Sequence, residues 1–194
     1  MNTVSIVLLM IFSGLGMNLM LQCALGIRGA SKIKNPCIKT VLVSMGIVFL
    51  SIILLWIVFT KIITSIISGL YIYVLLFPVS SLVYDGIEFI VFRYLYKKDT
   101  KNNCLFNFYG GITAAALFIT LNIANSILDA FSLSFGFSFG VILSFLILGE
   151  IQKRAALEAV PVFLRGNSLI LISVGLLSLV FSAASILMYR VFGG

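Results

Sequence analysis

The sequence predicts an all-α polytopic integral membrane protein, with six transmembrane helices in two inverted three-helix repeats and little chain left outside them. Three observations lead there. The chain of 194 residues is 61% hydrophobic and only 10% charged, whereas about a quarter of a soluble domain is charged. At a mean hydropathy of +1.21, a soluble surface could not be covered. Uncharged stretches run over 1–27, 40–60, 62–84, 102–128, 130–149 and 166–189, each at or near the roughly 20 residues that cross a bilayer. In hydrocarbon the backbone must satisfy itself, which makes such runs helices, and they alternate too poorly for barrel strands.

The first stretch has no basic residue ahead of it and is too long for the apolar core of a signal peptide, so it reads as a retained span. Gly14, Gly16, Gly26 and Gly29 lie in or just beyond it. A break is expected around 17–28, because glycine loosens a helix and admits close backbone approach; ordinary close packing is the competing account. The third stretch continues into Asp85 and Glu88, whose i, i+3 spacing puts them on one helix face. Ionisable groups in a span are functional candidates. A cation or proton site at the end of a pathway competes here with a near-surface salt bridge to Arg93. The fourth stretch holds the pair Gly110 and Gly111, the site of a second expected break. In the fifth, Ser132, Gly136 and Gly140 recur every four residues among Phe131, Phe135, Phe137 and Phe139. Small residues so spaced let helices approach, while the rings fill grooves or face lipid.

The net charge of +7 follows the loops. Arg28, Lys32, Lys34 and Lys39 follow the first stretch, Arg93, Lys97, Lys98 and Lys101 the third, and Lys153, Arg154 and Arg165 the fifth. Eleven of thirteen basic residues thus share one side, with Lys61 and Arg190 on the other. The positive-inside rule makes that side cytoplasmic and puts both termini outside. A membrane surface, not nucleic acid, accounts for the charge. The six segments divide into residues 1–97 and 98–194 within one transmembrane domain. Three is odd, so the second half crosses in the opposite sense, as in inverted-repeat proteins whose sites lie at broken helices near the midplane.

Absences narrow the chemistry. The chain has no histidine, hence neither the commonest haem and transition-metal ligand nor the usual neutral-pH proton shuttle. Its acidic residues are Asp85, Glu88, Asp99, Asp129, Glu150 and Glu158, a set that argues against soluble-type hydrolysis and nominates no catalytic residue. Cys23, Cys37 and Cys104 form no Cys-x-x-Cys pair, so spacing alone supports no metal site, and a buried cysteine is ordinarily a small apolar filler.

The run EIQKRAALEAVPVFLRGN over 150–167, followed by SLILISVGLLSLVF over 168–181, resembles the end of the RnfA/NqrE membrane subunits of Rnf and sodium-pumping NADH:quinone reductase complexes. Those subunits carry a charged turn, Val-Pro-x-x-x-Arg-Gly and a final helix with Ala-Gly-Leu-Met-Ser-Leu or similar. Gly29-Ala-Ser-Lys32 is similar to the family's Gly-Val-Ser-Lys, and Glu88 matches a glutamate late in the third helix. The resemblance implies an electron transport subunit of a translocase, not a catalyst alone, coupling electron transfer to Na⁺ or H⁺ movement. It also implies a prokaryotic inner membrane, an inverted RnfE/NqrD-like sister subunit with the other Rnf/Nqr-type subunits, and an ion pathway touching Asp85 and Glu88. The sister subunits would share a [2Fe–2S] cluster, each giving one cysteine from its first and one from its fourth helix. Here the sequence departs from the family. Aligned without gaps on Gly29–Lys32, the first cysteine position falls on Leu25, with Cys23 two residues early. Two residues turn a helix by about 200°. Counted back from Arg165, the second falls on Gly111, about two helical turns from Cys104. Cys23 remains the candidate cofactor and metal ligand, and the cluster is absent if the glycines at 110 and 111 are not replaced in that role. A small six-helix solute transporter, or the substrate-binding membrane subunit of an importer, is the alternative from another class, and a purely structural assembly subunit is a third.

Overall fold

A computed structural model describes residues 3–23, 25, 38–64, 71–91, 93, 110–157 and 167–192, and among them every regular element is helical. Helix α1 (Thr3–Ile11) passes into a π-helical turn (Phe12–Gly16), stops, and restarts as α2 (Leu19–Gln22). Helix α3 (Ile38–Val58) runs on through a second π-helical turn (Phe59–Ile63). Then come α4 (Tyr71–Val91), α5 (Gly110–Ile123), α6 (Ile127–Leu157) and α7 (Asn167–Phe192). Four stretches are long and apolar enough to cross a membrane: Met45–Ile63, Tyr71–Val91, Ile127–Ala155 and Ser168–Leu187. Ile6–Gln22 and Gly111–Ile123 are apolar but shorter.

Several boundaries depart from those expected. The third segment, expected over 62–84, runs on as helix to Val91, because Glu88 turns inward and the helix continues through both acids. The fourth and fifth, expected over 102–128 and 130–149, meet earlier and the fifth runs further. Within the described residues α5 ends at Ile123 and α6 starts at Ile127. A reciprocal cap sets that start: Ser126 N donates to Asp129 Oδ2 at 3.1 Å, and Asp129 N donates to Ser126 Oγ at 3.3 Å. This is a capping box with aspartate in place of the usual glutamate. At the far end Glu150 does not stop the helix. It pairs along the same face with Lys153 at 3.9 Å and Arg154 at 3.6 Å, so the charges leave the apolar zone on a continuing helix.

Helix α6 is the centre of the bundle. It packs against α1, the π-helical turn, α2, α3, α5 and α7. The main core joins Met20, Met45, Tyr84, Ile112, Leu133 and Phe137. A smaller cluster of Leu55, Phe59, Leu76, Ala114 and Leu117 ties α3, α4 and α5 together. The packing repeats itself when the broken first segment, α3 and α4 are matched in order to α5, α6 and α7. The broken first segment lies on α6 as α5 lies on α3. Helix α4 lies on α5 as α7 lies on the π-helical turn and α2, and α3 meets α4 as α6 meets α7. The α5–α6 contact has no such counterpart among the larger contacts, and these helices are joined by the short turn 124–126.

The seam between α1 and α6 shows what the small residues are for. A Cβ on Gly136 would overlap Ser13 Oγ and the Met10 carbonyl, and one on Gly140 would overlap the Gly14 carbonyl. From the other side, a Cβ on Gly14 would sit 2.9 Å from Gly136 O. The four-residue spacing thus serves close approach, as expected. Of the interleaved rings Phe137 is buried, while Phe131, Phe135 and Phe139 face outward. Phe49 of α3 meets Phe131 and Phe135 edge-on, at centroid distances of 5.1 and 6.2 Å.

Candidate functional site

The first helical segment breaks where an asparagine can satisfy the break. The π-helical turn closes with Met17 N donating to Phe12 O at 2.9 Å, and Asn18 is extended at φ −67°, ψ 101°. A helix restarting there leaves amide N–H groups without partners, which is costly in hydrocarbon. Asn18 Oδ1 accepts one of them, from Leu21 N at 3.3 Å. Its Nδ2 donates to Gly140 O at 2.9 Å and to Ser144 Oγ at 2.8 Å. Gln22 Nε2 donates to Gly16 O on the other side of the break. Asn18 therefore does two jobs: it caps α2 and ties the break to the middle of α6. Sequence reasoning passed it over, although a cap-type residue just after Gly-x-Gly in an apolar run is a visible signal.

The break begins at Met17, inside the expected window, but Cys23 does not lie within a helix. It caps the end of α2 with φ −100°, ψ 1°, its N donating to Leu19 O at 3.2 Å, and its side chain is exposed. Gly26, Gly29, Cys37 and Cys104 lie outside the described residues. Leu25 is half-buried and packs on the main core. Its Cδ2 lies 3.7 Å from where a Cβ on Gly111 would be. The fold thus brings together the two positions that the resemblance equates with the family's first- and fourth-helix cysteines. It joins them as a leucine methyl over a glycine.

That joint offers no sulphur, and its residues do not fit a pair of iron–sulphur ligands. Among the described residues no group of three or more histidine, cysteine or acidic side chains gathers to hold a metal ion. Cys23 stands apart from any such set.

Glu88 and Asp85 part company. Glu88 is fully buried on the α4 stripe that carries Leu76, Ser80 and Tyr84, whereas Asp85 is exposed. Spacing of i, i+3 leaves them about 60° apart on adjoining parts of the helix surface, and the edge of the core falls between them. The polar group set against the buried Glu88 carboxyl is the Tyr84 side chain, one helical turn away on the same stripe. The alternative of a salt bridge to Arg93 does not hold. Arg93 sits over the Phe89 ring, its guanidinium carbon 5.5 Å from the centroid. Comparison of the chain with protein-family models and with curated proteins finds no match in either.

Proposed function

We propose that this chain is an RnfA/NqrE-type membrane subunit of an Rnf/Nqr-type ion-translocating electron transport complex. It spans a prokaryotic inner membrane six times in two inverted three-span halves, both termini outside, beside an inverted RnfE/NqrD-like sister. The observation that carries the reading is the contact of Leu25 with Gly111. One position was counted from Gly29–Lys32 and the other from Arg165, with no reference to each other. An unrelated six-helix protein has no reason to bring those two residues together. Two features add support. The helix contacts repeat between the halves, and the two shorter apolar stretches, Ile6–Gln22 and Gly111–Ile123, are the first spans of their halves.

In this reading Asp85 and Glu88 belong to the ion path, on the cytoplasmic side. Glu88 is the residue to weigh, because a carboxyl fully buried in a mostly apolar core is expensive to keep unless it takes a proton or a cation. The chain contributes scaffold and ion path, and electron transfer belongs to the complex.

The test is purification of the tagged chain from its own membranes in mild detergent, with mass spectrometry of what accompanies it. An inverted sister subunit together with flavin-binding and iron–sulphur subunits is the expected result. A chain that purifies without them and carries a tightly bound metabolite overturns the reading in favour of a solute carrier.

A further inference from the structure

We infer that the Leu25–Gly111 joint is an apolar contact that has replaced an iron–sulphur site, so that this chain contributes no cluster ligand there. The inference rests on the Rnf/Nqr reading for what the joint replaces, but the joint itself rests on geometry alone. Clusters of this kind ordinarily take four thiolates, and half of the set would have come from these two positions. Gly111 has no side chain to donate. The side chain facing it is that of Leu25, which packs against the core. One turn further along the Gly111 face, Ala114 is buried and Ala115 packs against the main core, so the side chains next to the joint are apolar too.

Cys23 does not restore the site. It lies two residues before Leu25, at the C-cap of α2, with its side chain exposed while Leu25 is half-buried. No second cysteine or acidic pair joins it among the described residues. Any electron path through the complex must therefore use carriers that do not depend on these positions.

Two measurements test this, and they fail separately from the family reading. In the intact complex, Cys23→Ser/Cys37→Ser/Cys104→Ser should leave total iron, acid-labile sulphide and the reduced-state EPR spectrum unchanged. Loss of two irons per complex with one [2Fe–2S] signal overturns the inference while leaving the family intact. In the same cysteine-free background, Leu25→Cys/Gly111→Cys should be joined by a short bis-maleimide in nearly every chain, whereas either single variant is not. A Cβ on Gly111 makes only ordinary contact with Leu25, so the pair is sterically tolerated. Absence of the cross-link overturns the joint. If the cross-link forms and no sister subunit co-purifies, the family reading falls instead, and with it the claim that a cluster site was replaced.

Discussion

Helices α6 and α7 carry nearly the same hydropathy over their apolar windows, 2.1 and 2.4. Yet 61% of the α6 window is buried in the bundle and only 17% of the α7 window. What separates them is small residues. Helix α6 buries Ser132, Ser134, Gly136, Ser138, Gly140 and Ser144. Its serines return their hydroxyls to their own helix, Ser132 to Leu128 O at 2.8 Å, Ser134 to Ala130 O at 2.6 Å and Ser138 to Ser134 O at 3.0 Å. They therefore cost little when buried. Helix α7 shows Leu171, Leu176, Leu179 and Val180 to the outside, and nothing lies within 4 Å of a Cβ on its Gly175. Lipid tails are as apolar as leucine, so hydropathy cannot choose which helix goes to the middle. Close approach of backbones can.

The contrast can be broken from either side. The largest effect is expected from Gly140→Leu, which drives a side chain into the Gly14 carbonyl and should cost about 3 kcal/mol, the upper end of ordinary overpacking. SDS titration of helicity in mixed micelles reads it, and a wild-type midpoint would mean that the α1–α6 seam is not tight. Asn18→Leu removes three hydrogen bonds at the break and should lose about 2 kcal/mol in the same titration, with Leu21 N losing its side-chain acceptor while Gly140 O keeps the Ser144 hydroxyl. Equal stability would sink the capping role. Glu88→Gln should stay within about 0.5 kcal/mol of wild type, because glutamine keeps the shape and an acceptor oxygen beside Tyr84 while removing the ionisable group. Ion movement by the reconstituted complex should nevertheless be lost; retained movement removes Glu88 from the path. The smallest effect is expected from Gly175→Leu, under about 0.5 kcal/mol, and a clear loss there would show that α7 has a close partner on that face.

Much of the architecture was legible. Charge-free runs found the helices because a bilayer tolerates few ionised groups, and the four-residue spacing of Ser132, Gly136 and Gly140 announced close packing. The boundaries were less legible. Asp129 looked like the end of an apolar run, whereas it caps α6 from inside the helix with Ser126, and a charge count cannot tell a cap from a loop. The same limit hid the difference between Asp85 and Glu88. Their spacing is compatible with one face, and only the position of α4 against the core decides that one is buried and the other is not.

By itself the sequence determined the class of the protein, since composition alone fixes lipid as the solvent and helix as the backbone's only economical form there. It also named Leu25 and Gly111, but as two isolated departures from a pattern. Tertiary structure alone decided that they touch, that Asn18 holds the break to α6, and that Glu88 is buried while Asp85 is not. Each of these depends on which helix faces meet, and that is set by steric fit between residues far apart in the chain.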